Sequence, residues 1–215
     1  MGGNRENFRG FYNAELPGSF ALAMNHLMAT KYSSVEYNWN ASSYLAPSED
    51  VERWGILGDQ YELYARNRDH WMMQQKIVDH PPQFLVETPP FVEENDDPNA
   101  TYVNDGDMRN TDNIKNIAGK LHDRVDLYTH DAGVEVGNDD DFSEQESVNA
   151  QLHFGCAIMG LATLKTGGSF VAKQYSYYET FTVNMLILYS ALFDEFYMYK
   201  PLTSGQSNSE IYFVG

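Results

Sequence analysis

The sequence predicts an α/β fold: a mainly parallel sheet with helices on both faces and a last strand running antiparallel. Three observations carry this. From Val125 onward, short β-branched and aromatic runs alternate with stretches of helical apolar spacing. Near the N-terminus a strand pattern feeds a Pro-Gly turn and then a helix. The final two strand patterns are joined by only about eight residues, too few for a helical crossover, which makes that pair antiparallel.

In chain order, Gly10 to Glu15 reads as a strand, Leu16-Pro-Gly-Ser19 as a tight turn and Phe20 to Met28 as a helix. In open α/β sheets ligands bind beyond the carboxyl ends of the strands, where a helix N-terminus and backbone N–H groups face the crevice. Between about Ala46 and Asn104 the pattern loosens. Trp54, Tyr61, Tyr64 and Trp71-Met-Met73 suggest one or two helices, Pro81-Pro82 and Pro89-Pro90 follow, and Glu87 through Asn104 is polar and acidic. This is an insertion ending in a surface loop.

Val125 to Asp131 is a strand that ends in the loop Asp131-Ala-Gly133. Ser143 to Thr166 is a helix: Ser143 and Glu146 form a capping box, and Leu152, Cys156, Met159 and Leu164 mark its apolar stripe. Gly167-Gly168 stops it. Ser169 to Lys173 is a buried strand, Thr180 to Phe193 a mostly apolar helix, and Phe196 to Lys200 a strand stopped by Pro201. Ser209 to Val214 is the last strand, inserted with reversed direction.

Composition sets the limits. The 215 residues are expected to form one domain, because 42% hydrophobic and 14% aromatic content can build a core. The apolar run from Phe181 to Phe193 is broken by Thr182, Asn184 and Ser190 and falls short of a membrane span. Arg5, Glu6 and Arg9 stand where a secretion signal needs an apolar stretch, so an intracellular protein is expected. One cysteine, Cys156, excludes a disulfide framework and a cysteine-based zinc cluster; it reads as a core thiol. The six histidines are scattered, and no metal site is predicted.

Asp131, Lys173 and Glu210 are brought to one edge by this topology. The first two lie at carboxyl ends of parallel strands, and the reversed last strand brings its beginning there too. A lysine between two carboxylates is either a structural ion pair or a catalytic group. Its charge can be held by the carboxylates or opposed by burial, so its protonation state stays open.

Taken with Asp105-Gly-Asp107, Asn113-Ile114, Asp131-Ala-Gly133, Gly167-Gly-Ser-Phe-Val-Ala-Lys173, Lys200-Pro-Leu-Thr-Ser204 and Asn208-Ser-Glu210, the chain resembles the FtsJ-like methyltransferases. Within them it is most similar to the mRNA cap nucleoside-2′-O-methyltransferases of eukaryotes and large DNA viruses. The likeness runs from about Gly10 to Val214 and is thin between 46 and 104. It implies a Rossmann-like fold that binds S-adenosyl-L-methionine and transfers its methyl group to a ribose 2′-hydroxyl of capped mRNA. Glu15, Pro17, Gly18, Ser19 and Phe20 would then form the cofactor turn. Asp107 and Met108 would lie at the adenosine, and Asp131 beside the methyl. Lys173, oriented by Asp131 and Glu210, would be catalytic. Tyr175, Ser204 and Asn208 would meet RNA. Apart from the resemblance, Tyr175, Tyr177 and Tyr178 stand directly after Lys173, where they either stack on a cap or on bases or pack at the sheet edge.

Two positions depart from the family pattern. Its tetrad Lys-Asp-Lys-Glu begins on a helix before the first strand, whereas the residues before Gly10 contain Arg5 and Arg9 but no lysine. Polypeptide outside this chain supplies that group, Arg5 or Arg9 replaces it, or the domain binds cofactor without turnover. Relatives also carry Thr-Ser-Arg where this chain has Thr203-Ser-Gly205.

The formal net charge of −17 opposes the basic footprint expected of an RNA enzyme. Residues 83–113 hold eight acids and one base, residues 123–146 nine acids and one base, and the rest is nearly balanced. A partner or an additional domain supplying RNA affinity is therefore expected. Two alternatives are a methyltransferase-fold subunit with a structural or regulatory role, whose acidic loops meet a basic partner, and a ribosomal or transfer RNA 2′-O-methyltransferase.

Overall fold

The computed structural model describes residues 6–44, 63–73, 104–134, 144–205 and 208–215. In chain order these form β1 (Asn7–Asn13), α1 (Ser19–Lys31), β2 (Glu36–Ser42), α2 (Leu63–Arg66) and α3 (Thr111–Leu121). Then come β3 (Val125–His130), α4 (Gln145–Thr163), β4 (Leu164–Gln174), α5 (Thr180–Leu192), β5 (Tyr197–Tyr199) and β6 (Ile211–Val214). The described strands make one sheet in the order β2-β1-β3-β4-β6-β5. The first four are parallel, and β6 runs antiparallel between β4 and β5, as the short connection required.

Each face of the sheet has its own core. Phe11, Tyr128, Phe170 and Phe213 point to one side, where Ile114, Ile117 and Leu121 of α3, Cys156 and Met159 of α4, and Met185 and Tyr189 of α5 close over them. Tyr12, Trp39 and Ala41 point to the other, covered by Ala21 of α1 and by Leu63, Tyr64, Trp71 and Met73. Within the expected insertion, then, residues 63–73 are docked on the sheet: Trp71 bridges to Ala41, and the ring of His70 stacks on Trp39 at 4.3 Å. Trp54, Tyr61 and the prolines from Pro81 to Pro90 lie outside the described residues, as does the acidic loop up to residue 103.

Several boundaries move. The first strand covers residues 7–13, so Glu15 belongs to the turn after it. Gly167-Gly168 does not stop α4, which ends at Thr163 with Leu164 already extended. The register instead jumps from Val125–Leu164 to Leu127–Ser169, so the segment containing the two glycines leaves the ladder, and Gly167 takes φ +80. Ser143 lies outside the described residues, and Glu146 is occupied elsewhere. Two elements had no counterpart in the sequence reading: β2, whose Trp39 and Ala41 alternate with polar residues, and α3. The signals for α3 were the cap at Asn110, whose side chain accepts from the Asp112 N–H at 3.0 Å, and Ile114, Ile117 and Leu121 on one face.

Candidate active site

Lys173 sits in the last full turn of pleat before β4 ends, on the face opposite the buried Phe170, Ala172 and Gln174. Its ammonium lies 3.4 Å from Asp131 Oδ1 and 3.3 Å from Glu210 Oε2, with the Tyr175 ring 5.4 Å away. Strand order and direction thus bring the three groups together. The Lys173 side chain is only 13% exposed. Burial pulls its pKa down, but Asp131, Tyr175 and Glu210 together outweigh this and hold it above the ordinary lysine value. Lys173 is a firmly charged ammonium in this arrangement.

Tyr212 was missed. Its hydroxyl donates to Asp131 Oδ1 at 2.8 Å, and its ring meets Phe20 edge-on at 6.1 Å, joining the Asp131 carboxylate to the turn after β1. Burial and then Asp131 push its pKa far up, keeping it a donor. The signal was strand alternation: Tyr212 is two residues from Glu210 and directly opposite Lys173 in register.

The turn after β1 is built around Glu15. The peptide bond Leu16–Pro17 is cis, Gly18 adopts φ +108, and its N–H donates to the Glu15 carbonyl at 2.5 Å. A side chain at Gly18 would both strain this left-handed backbone and strike Leu63. Ser19, exposed, and Phe20, half-buried against the core, then start α1. Glu15 itself is 3% exposed. One carboxylate oxygen accepts the Ala21 N–H at 2.8 Å, while Oε2 is buried with no hydrogen-bond partner. Burial, reinforced by Asp131, pushes its pKa up to about 8. A buried acid with an unused oxygen beside a glycine turn fits the ammonium of an amino-acid ligand.

The other predicted residues fare differently. Asp107 is clamped by Arg109, whose Nε and Nη2 donate at 3.0 and 2.7 Å. Burial raises the Asp107 pKa, and Arg109 more than offsets it, leaving the carboxylate below its usual range. Met108 is 2% exposed and packs in the core, so its side chain does not line a crevice. Tyr175 is 8% exposed, stacked on His153 at 6.0 Å beneath Lys173, and its hydroxyl fills the space that the missing Cβ of Gly133 leaves. It is not free to stack on a base. Ser204 and Asn208 are gathered by Lys200, whose ammonium donates to Ser204 Oγ at 3.0 Å and to the Asn208 and Glu210 carbonyls at 2.5 and 2.7 Å. Asn208 Oδ1 also accepts the Glu210 N–H at 2.8 Å. Asn208 and Lys200 thus bond Glu210 directly, and Ser204 is tied to the same Lys200 ammonium.

Arg9 does not stand in for a catalytic lysine. It lies at the amino end of the sheet, beside Arg124, Asp126 and Lys165, at the end opposite Lys173. Arg5 is outside the described residues. Among the described residues, no group of three or more His, Cys, Asp or Glu side chains is placed to hold a metal ion. Nor is any described helix long and apolar enough to cross a membrane.

Comparison with known proteins identifies the family. The model of the FtsJ-like methyltransferase family matches residues 87–215, more than half of the chain. The probable methyltransferase EP424R of African swine fever virus is 38% identical over 208 residues, covering 95% of this chain and 43% of that protein. The cap-specific mRNA (nucleoside-2′-O-)-methyltransferase 2 of Drosophila melanogaster is 28% identical over 202 residues, covering 93% of this chain and 25% of that protein. The chain thus spans less than half the length of either relative. A putative ribosomal RNA methyltransferase from Plasmodium falciparum shares the fold, with a TM-score of 0.50, 16% identity, and coverage of 97% of this chain and 85% of that one. By its family match, its viral relative and its sheet, this chain belongs to the FtsJ-like methyltransferases.

Proposed function

We propose that this chain is an S-adenosyl-L-methionine-dependent RNA 2′-O-ribose methyltransferase domain acting near the capped 5′ end of mRNA. The observation that carries the reading is the Asp131–Lys173–Glu210 cluster, set beside a glycine turn whose buried Glu15 has one oxygen, Oε2, without a hydrogen-bond partner. The cap-specific relative supports RNA as the substrate class. S-adenosyl-L-methionine supplies a methyl group already activated on a sulfonium. Glu15, Pro17, Gly18, Ser19 and Phe20 would hold its amino-acid end, and Asp107 its adenosine end after release from Arg109.

The chain's own residues then have three tasks. Asp131 and Glu210 fix the Lys173 ammonium, and Tyr212 fixes Asp131. Lys173 donates to the ribose 2′-oxygen, aligns it with the methyl and stabilises charge that develops on it. On transfer the new C–O bond would replace the methyl–sulfonium bond, S-adenosylhomocysteine would be the leaving group, and the 2′-hydroxyl proton would pass to Asp131 or to water. The raised pKa of Lys173 favours this role over that of a general base, which would need the neutral amine.

We read residues 1–215 as one methyltransferase domain with an insertion at about 46–104, and place its RNA affinity partly in further polypeptide or a partner protein. The absence of a substitute for the family's first lysine among the described residues keeps a second reading, a cofactor-binding subunit without turnover. Radiolabelled methyl transfer to capped and uncapped RNA, with Lys173→Ala as control, separates the two. Transfer to capped RNA that is lost in the variant supports the enzyme, and cofactor binding without transfer supports the subunit.

A further inference from the structure

The first turn of α4 ties down two loops beside the catalytic lysine. Gln145 accepts the Ser209 hydroxyl at 3.2 Å, steadying the approach to Glu210. Glu146, almost fully buried, accepts the Ser176 hydroxyl at 2.6 Å and the backbone N–H groups of Tyr178 and Glu179 at 3.1 and 2.9 Å. One carboxylate thus holds the whole segment that leads from β4 to α5. That segment carries Tyr177 and Tyr178, stacked on each other with centroids 5.5 Å apart and planes 28° apart.

Tyr178 is 85% exposed. A tyrosine used for packing gives up most of its surface, and this ring gives up only the side that Tyr177 covers. Its outer face is left open, five residues after Lys173, on a loop that is fixed rather than free. A rigid exposed aromatic plane beside a site for ribose chemistry matches the flat π-face of a nucleobase.

We propose that the Tyr177–Tyr178 pair is a stacking subsite for one unpaired nucleobase of the substrate RNA, and that Glu146 is its positioning residue. This rests on the RNA reading above and extends it by naming what holds the strand. The stack supplies sequence-tolerant affinity that needs no positive charge, which suits a chain as acidic as this one. Glu146 acts through the loop and touches no substrate.

The test measures binding of a short fluorescein-labelled single-stranded RNA by anisotropy, alongside calorimetry with S-adenosylhomocysteine. Tyr178→Ala is expected to weaken RNA binding roughly 5- to 100-fold, the range of one lost base stack, with cofactor-product affinity unchanged. Tyr178→Phe keeps the plane and should bind within about twofold of wild type. Glu146→Ala should raise KM for RNA while kcat stays near wild type, whereas a general structural role would lower kcat and cofactor affinity together. Unchanged RNA binding by Tyr178→Ala overturns the subsite, even where methyl transfer shows the functional reading to be right. RNA binding that depends on Tyr178 without any methyl transfer supports the subsite and overturns the activity. No RNA binding by the wild type overturns the subsite, and methyl transfer then decides the activity on its own.

Discussion

The carboxyl edge of the sheet carries two charged clusters built in opposite ways. Around Lys173 the charges are matched: one ammonium faces two carboxylates, and Tyr212 completes the coordination of Asp131. Around Glu15 they are not, since a buried carboxyl meets only backbone N–H groups of the first turn of α1, has no cation beside it, and keeps an idle oxygen. The difference teaches what each half waits for. A balanced cluster is assembled before substrate arrives, as electrostatic preorganisation requires, whereas an unbalanced one is completed by its ligand. If so, substitutions on the two sides should separate chemistry from cofactor affinity.

The largest effect is expected at Lys173. Lys173→Met removes the ammonium and should lower kcat by at least about 10²–10³-fold, the scale of losing a principal electrostatic donor, with S-adenosylhomocysteine affinity nearly unchanged. A parallel loss of both would erase the division between the clusters. Glu15→Gln should do the reverse, weakening cofactor-product binding with little effect on kcat at saturating cofactor.

Glu15 also predicts a pH signature. With its pKa near 8, the free protein holds the carboxyl protonated at neutral pH, and binding an ammonium requires the proton to leave. Affinity for S-adenosylhomocysteine should therefore rise between pH 6 and 8 by up to about tenfold per unit and level off above. Glu15→Gln should flatten that rise. The sign for folding is opposite: a carboxyl raised from 4.5 to about 8 contributes stability at low pH that is lost as pH rises through 8. Thermal unfolding above pH 8 should therefore show Glu15→Gln more stable than wild type.

Tyr212→Phe probes the bridge between the clusters. Loss of its 2.8 Å bond to Asp131 should lower kcat by roughly tenfold, the worth of a charge-assisted hydrogen bond, and leave cofactor affinity intact because the ring still meets Phe20. The smallest effect belongs to the buried pair His130 and His153, whose rings lie 5.6 Å apart. Burial holds both below the ordinary histidine value, so they fold neutral while the unfolded chain takes up protons. Stability should be full above pH 6.5 and fall below it, by up to about 1.4 kcal/mol per unit for each histidine. His130→Gln should make the fall shallower.

The matched cluster was legible in the sequence and the unmatched one only in outline, for a physical reason. Asp131, Lys173 and Glu210 stand at strand ends, so strand order and direction alone bring them together. Glu15 was placed in the cofactor turn, but its idle oxygen depends on side-chain packing that no spacing encodes. Tyr175 misled because three tyrosines follow Lys173 and sequence does not say which is buried; His153 and Gly133, both distant in sequence, decide that. The capping box at Glu146 misled likewise, since its carboxylate serves the next helix instead of its own. β2 and α3 carry ordinary signals, alternation in the one and an Asn110 cap in the other.

The most direct measurement is the position of the transferred methyl. Capped RNA incubated with radiolabelled S-adenosyl-L-methionine, digested to nucleosides and separated, should carry its label on a ribose 2′-oxygen, and Lys173→Met should bind cofactor normally yet leave the RNA unlabelled. Label on a base, or label undiminished in Lys173→Met, would contradict the account.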